Sequence, residues 1–177
     1  MMILITGGAA SGKSELAERA SVLLNTGKKA YIATMLSGDG ESLARIEKHR
    51  TMRSGKGFAT LEAPLAMPKT EALTGYDTVL VECVSNFLAN VMFQSGKEAS
   101  EAVCFILSEL SGLRLKVSNT VIVTNEVFSD GGHYDEFTLA YIGALGRINR
   151  ELARKADIVI ESVCGIPLFM KGGLEGL

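Results

Sequence analysis

The sequence predicts an α/β fold, a mostly parallel central sheet with helices on both faces and the possibility of antiparallel strands at its C-terminal edge. Three observations point there. Short, nearly continuous apolar runs alternate with longer amphipathic stretches, and strands that are apolar throughout belong to sheets buried on both faces. Glycine is abundant and proline scarce, 19 against 3, so the glycines mark tight turns rather than a loose linker. Hydrophobic residues make up 47% and charged residues 21% of 177. That balance suits a folded chain, read here as one domain over 1–177.

The elements follow in chain order. Met2–Thr6 reads as a buried strand. Ser14–Thr26 reads as a helix with Leu16, Ala20, Leu23 and Leu24 on its inner face, ended by Gly27. Ala30–Thr34 is a second strand and Glu41–Arg53 a helix. Thr78–Val81 is a strand running into Glu82. Val84–Phe93 and Glu98–Leu115 are helical by period, and Thr120–Thr124 is a β-branched strand. Asp135–Lys155 is a helix that turns Tyr141, Leu145, Ile148 and Leu152 inward. Ile158–Glu161 and Ile166–Met170 complete the sheet.

Charge and cysteine usage narrow the function classes. Lys+Arg 18 against Asp+Glu 20 gives a net charge of −2, without the cationic excess of a nucleic-acid binder. No apolar run is long enough to insert into a membrane. Met1–Thr6 lacks the basic flank and cleavage site of a signal peptide, which leaves a cytoplasmic protein as the expectation. Cys83, Cys104 and Cys164 are dispersed, odd in number and without a C-x-x-C pair. They are expected as three thiols packed in a reduced interior.

The strongest motif is Gly7-Gly8-Ala9-Ala10-Ser11-Gly12-Lys13-Ser14. It satisfies G-x-x-x-x-G-K-[ST] between a strand and a helix, the context that the motif requires. The glycines let successive N–H groups turn toward phosphate oxygens, and the helix N-terminus adds its positive end. Lys13 is placed to reach the β- and γ-phosphates and the Ser14 hydroxyl to ligate Mg²⁺. The motif predicts a P-loop NTPase-like sheet that binds a nucleoside triphosphate. Glu82 follows an apolar strand of the same sheet, where a carboxylate can hold Mg²⁺ directly or through water. Asn125 and Glu126 stand at the equivalent place after Thr120–Thr124, as a strand-to-loop turn or as a contact for an acceptor substrate.

Arg45, His49 and Arg53 are spaced i, i+4, i+8, so a helix puts them on one face. Two guanidinium groups beside an imidazole disfavour its protonation and leave a neutral nucleophile, while the arginines clamp phosphate oxygens. The same spacing, with Lys48, Arg50 and Lys56 nearby, equally describes a solvated basic face.

Beyond the phosphate loop, the chain carries Ile3-Leu4-Ile5-Thr6, Tyr31-Ile32-Ala33-Thr34, Ala44-Arg45-Ile46 with His49, and Val81-Glu82-Cys83. Val123-Thr124-Asn125-Glu126-Val127 and Gly146-Arg147-Ile148-Asn149 follow. In this order it resembles the bifunctional adenosylcobinamide kinase/adenosylcobinamide-phosphate guanylyltransferase family of cobalamin biosynthesis. The resemblance implies two reactions. One phosphorylates adenosylcobinamide with ATP or GTP. The other passes GMP from GTP through a guanylylated histidine to adenosylcobinamide phosphate, giving adenosylcobinamide-GDP and pyrophosphate. It implies His49 and Lys13 as catalytic residues and Ser14 and Glu82 at Mg²⁺. It implies GTP contacts at Gly7, Gly8, Ala9, Ala10, Ser11, Gly12, Lys13 and Ser14, then at Thr34, Met35 and Leu36. Further contacts fall on Arg50, Thr51, Met52, Arg53, Glu62 and Glu82. A homotrimer is implied as well. The chain departs from the family pattern at Ala10, where an arginine is common, and over 128–143, where Ile142-Gly143 stand near an expected Arg-Asp pair. His133, in that stretch, reads as a loop residue. Two other readings stay open, a P-loop kinase for another alcohol and a nucleotide-binding regulator without catalysis.

Overall fold

The computed structural model describes residues 1–24, 27–36, 47, 51, 53–127 and 132–177. Its strands are β1 Met2–Thr6, β2 Lys28–Ala33, β3 Phe58–Glu62, β4 Tyr76–Glu82, β5 Asn119–Val123, β6 Ile158–Val163 and β7 Ile166–Lys171. Its helices are α1 Lys13–Leu24, α2 Thr70–Leu73, α3 Val84–Gln94, α4 Ala99–Arg114 and α5 Glu136–Lys155. The strands form one sheet in the order β3-β2-β4-β5-β1-β6-β7. All neighbours are parallel except β6 and β7.

The order follows from burial. β1, at the sheet's interior, is Met-Ile-Leu-Ile-Thr, and its first four residues are buried. On one face Ile3, Ile5, Tyr31, Leu80, Val121 and Ile160 pack against Leu16, Ala17 and Ala20 of α1. On the other, Leu4, Ile32, Val79, Val81 and Ile122 pack against α3, α4 and α5, through Phe87, Ile106 and Leu145. Alternation along β4 thus sends Val79 and Val81 to the three-helix face, and Thr78, Leu80 and Glu82 to the α1 face. β6 and β7 turn through Cys164-Gly165, with φ 51° and 80° and Val163 paired to Ile166. Two consecutive positive φ values suit the tight two-residue hairpin.

Several expectations change. β3 and α2 were not anticipated. β3 is an edge strand reading Phe-Ala-Thr-Leu-Glu, nowhere fully buried, so it lacks the continuous apolar run that marks the interior strands. On α1, Leu16 and Ala20 face inward as expected and Leu24 packs at the margin of the core, but Ala17, Glu18 and Ser21 are buried beside them and Leu23 is 48% exposed. Small side chains at Ala17, Ala20 and Ser21 let this helix lie close to the sheet, which leaves Leu23 at its margin. α1 ends at Leu24, and Thr26, the expected last residue of the helix, lies outside the described residues. Gly27 stands just before β2, where a Cβ would run into the Asp77 carboxylate. Close approach of a side chain, not a left-handed backbone, is what favours glycine there. Of the three thiols Cys83 alone is buried, while Cys104 and Cys164 are exposed. Cys164 belongs to the hairpin turn and Cys104 to the outer side of α4. Of the helix expected over Glu41–Arg53, Glu47, Thr51 and Arg53 are described and helical. Arg45, His49, Arg50 and Met52 lie outside the described residues. Asp135 stands before α5 rather than in it, and its carboxylate accepts from Thr138 N at 2.7 Å.

Candidate functional site

The site forms where β1, β4 and β5 end, the side on which parallel α/β sheets bind ligands. The chain leaves β1 at Thr6, turns through Gly7–Gly12 and enters α1 at Lys13. Gly12 has φ +87°, and a Cβ on it would meet Gly165 Cα at 3.0 Å. A side chain there is excluded twice, by conformation and by neighbouring backbone that cannot yield. The loop rests on the β6–β7 hairpin, because the Ser11 carbonyl accepts from Gly165 N at 2.8 Å and from Ser162 Oγ at 2.7 Å. The Gly7 carbonyl accepts from Glu126 N at 3.1 Å, which ties the other side of the loop to the end of β5. Ala9 and Ala10 form its exposed tip, with Ala10 at φ 57°. The loop is therefore buttressed on both sides by the chain's own hydrogen bonds. Lys13 Nζ donates to the Gly8 carbonyl at 2.8 Å, folded across the loop it belongs to.

Ser14 and Glu82 meet. The Ser14 hydroxyl donates to Glu82 Oε1. Glu82 comes to this point because it ends β4 on the α1 face and is buried. Both are hard oxygen donors, the type that Mg²⁺ takes. No cluster of three or more His, Cys, Asp or Glu able to hold a metal occurs among the described residues. Two protein oxygens, with phosphate oxygens and waters completing the shell, fit Mg²⁺ better than a cation that needs an all-protein cage.

Around Glu82 the structure adds residues that the motif did not contain. Tyr31 OH donates to Glu82 Oε2 at 3.1 Å. The Arg53 guanidinium carbon lies 3.4 Å from the centre of the Tyr31 ring. Arg53 is buried, and its Nη1 has no hydrogen-bond partner among the described residues. Burial first, and then the Glu82 charge, pushes the Tyr31 phenol far above its usual range, so it stays a donor. Glu18, fully buried on α1, pairs with Lys56 Nζ at 2.5 Å and fastens the turn after Arg53 to α1.

At the end of β5 a second polar chain is laid out. Asn125 Nδ2 donates to Ser85 Oγ at 2.6 Å, and Ser85 Oγ lies 3.0 Å from Cys83 Sγ. Tyr141 OH donates to the Ser85 carbonyl at 3.2 Å. Burial pushes the Cys83 thiol up and the Tyr141 phenol up to about 12, so both are neutral near pH 7. Thr124 and Asn149 close the network, with Thr124 Oγ1 donating to Asn149 Oδ1 at 2.7 Å.

The remaining expected contacts are spread differently. Thr34 is buried, its N–H donates to Glu82 O and its hydroxyl donates to Cys83 O at 2.9 Å. It locks β2 to β4 beneath the site. Met35 is half-buried and Leu36 exposed just beyond it. Glu62, exposed, stands level with Glu82 across Ala33, since Ala33 pairs with both. Thr51 is exposed. Sequence reasoning missed Tyr31, Lys56, Glu18 and Ser162. Tyr31 was visible as part of Tyr-Ile-Ala-Thr, but its contacts lie 22 to 51 positions away (residue 31 to residues 53 and 82).

A model of the family described as cobinamide kinase / cobinamide phosphate guanyltransferase matches residues 3–170. The Pseudomonas aeruginosa protein called bifunctional adenosylcobalamin biosynthesis protein CobP is 34% identical over 179 residues, covering 97% of this chain and 98% of that protein. Bifunctional adenosylcobalamin biosynthesis protein CobU of Escherichia coli K12 is 33% identical over 186 residues, covering 97% and 100%. Among solved structures, the ATPase domain of G40P superposes with a TM-score of 0.53 at 10% identity, covering 90% of this chain and 68% of that one. A KaiC-like protein from Pyrococcus horikoshii OT3 gives 0.50 at 14% identity, covering 90% and 71%. At such identities these two show a P-loop NTPase-like fold and nothing of substrate.

Proposed function

The chain belongs to the cobinamide kinase / cobinamide phosphate guanyltransferase family, and from that membership and the site we propose how it acts as an enzyme of adenosylcobalamin biosynthesis. The observation that carries the reading is the meeting of Ser14 and Glu82 at the mouth of a complete phosphate loop. The loop Gly7–Ser14 takes the phosphates of ATP or GTP, with Lys13 turning from the Gly8 carbonyl to the β- and γ-phosphates. Ser14 and Glu82 would hold Mg²⁺, which supplies charge neutralisation on the phosphate oxygens. Arg53 offers its unpaired nitrogen to the phosphate chain, and Glu62 lies at the rim of the same end of the sheet. Thr34, Met35, Leu36, Arg50, Thr51 and Met52 complete the nucleotide contacts in this reading.

Two transfers follow. In the kinase step the aminopropanol hydroxyl of adenosylcobinamide attacks the γ-phosphorus of ATP or GTP, and the nucleoside diphosphate leaves. In the second step the neutral imidazole of His49 attacks the α-phosphorus of GTP. The bond to the β-phosphate oxygen breaks, pyrophosphate leaves, and a guanylylated histidine remains. The phosphate of adenosylcobinamide phosphate then displaces the imidazole and gives adenosylcobinamide-GDP. In this reading residues 1–177 are one domain of a cytoplasmic homotrimer.

The test is incubation with α-labelled GTP and Mg²⁺, followed by denaturing electrophoresis and acid treatment. Wild type should carry an acid-labile label and His49→Ala should carry none. Equal labelling of the variant would overturn the assignment of His49.

A further inference from the structure

Tyr31 lies between the two charged groups the reaction needs, and each end of its side chain does something different. The ring, buried at 4% exposure, has the Arg53 guanidinium carbon over its face, 3.4 Å from its centre. The hydroxyl, on the same sheet face as Glu82, donates to Glu82 Oε2 at 3.1 Å. A planar guanidinium on an aromatic face is held by the ring's negative quadrupole while its in-plane N–H groups stay available. Arg53 fits that description, because it is more than nine-tenths buried and Nη1 has no hydrogen-bond partner among the described residues. A buried, unmatched cationic donor is costly unless an anion arrives to meet it. Glu82, through its other oxygen, accepts from Ser14 at the loop.

We propose that Tyr31 is a positioning residue with two separable duties: its ring presents Arg53 to the phosphate chain of the nucleotide, and its hydroxyl orients Glu82 for the cation. This rests on the reading of Glu82 and Arg53 given above. It goes beyond that reading by assigning a residue that touches neither nucleotide nor cation in it. The two duties respond to different substitutions. Tyr31→Phe keeps the ring and removes the hydroxyl. Tyr31→Leu removes both.

The experiment is calorimetric titration of GTP into wild type, Tyr31→Phe and Tyr31→Leu, each with and without Mg²⁺. Binding is the readout, so the result stands whether or not His49 is guanylylated. A wild type that binds GTP but takes no label would sink the His49 mechanism and leave this test intact. Tyr31→Phe should bind GTP without Mg²⁺ as wild type does, and should lose most of the gain in affinity that Mg²⁺ brings. Tyr31→Leu should lose that gain and also bind about thirtyfold more weakly without Mg²⁺, the size of a desolvated guanidinium–ring contact. Arg53→Lys, which keeps the charge but cannot lie flat on the ring, should show the same Mg²⁺-free loss and keep the Mg²⁺ gain. It stands in for Tyr31→Leu if that variant fails to fold. A wild-type Mg²⁺ response in Tyr31→Phe overturns the hydroxyl's duty. Wild-type Mg²⁺-free affinity in folded Tyr31→Leu, or in Arg53→Lys, overturns the ring's duty.

Discussion

Replacing Lys56 by methionine removes the cation facing Glu18 and keeps most of the apolar stem. Glu18 is fully buried, its Oε2 lies 2.5 Å from Lys56 Nζ, and its Oε1 has no hydrogen-bond partner among the described residues. Among the described residues no second donor on Oε1 cushions the loss. Breaking a wholly buried pair by removing one partner costs about 3–5 kcal/mol, because a charge is left without compensation. Lys56 is 35% exposed, so water enters the vacated site and the cost falls to about 2–3 kcal/mol. For a chain of 177 residues each kcal/mol moves the melting temperature by roughly 2–4 °C, so the shift is roughly 4–12 °C. Thermal melts followed by circular dichroism measure it. The double variant Glu18→Leu with Lys56→Met should recover most of the loss, since an apolar pair of similar volume replaces a buried ion pair at little cost. A single variant that melts with wild type, or a double variant no more stable than the single, would refute the reasoning.

Three further outcomes are expected. Lys13→Ala should abolish measurable GTP binding in a calorimetric titration, and retained affinity would contradict the assignment of the phosphate loop. In the native protein an aromatic disulfide reagent should modify Cys104 and Cys164 quickly and Cys83 only after unfolding, because Cys83 is buried with its thiol pushed up; three fast thiols would contradict the packing at the end of β4. Tyr141, pushed up to about 12 by burial, holds its proton more tightly folded than unfolded. Its contribution to stability is therefore full below about pH 10 and is lost as pH rises toward about 12, so Tyr141→Phe should flatten the alkaline loss of stability in denaturant titrations at stepped pH.

The phosphate loop was readable because its parts are local. Eight consecutive residues specify the turn, the lysine and the hydroxyl, and the flanking strand and helix announce themselves by period. The two-sided core was readable for a related reason, since runs such as Ile3-Leu4-Ile5 and Val121-Ile122-Val123 leave no polar face to expose. β3 was not, because an edge strand needs to satisfy only one neighbour and its residues stay mixed. The support of the loop was not readable either. Ser162 and Gly165 grip the Ser11 carbonyl from more than 150 positions away, and nothing in Ser-Val-Cys-Gly announces that duty.

Glu82 shows where local reading stops. An acid at the end of an apolar strand is visible in the sequence, but strand order decides what it can meet. β5 lies between β1 and β4, so the loop must project beyond the end of β5 before Ser14 can reach across to Glu82. The Glu126 N–H on the Gly7 carbonyl holds the start of the loop against that strand end. Alternation then fixes the face, since Glu82 shares the α1 side with Leu80 while Val81 points to the opposite core. A slip of one residue in β4 would bury Glu82 among α3 and α5 and turn Val81 to the phosphate loop. The registry Ala33–Glu82 and Val81–Ile122 prevents that slip. The pairing of β4 with both neighbours, as much as the acid itself, makes the end of this strand a place for a cation.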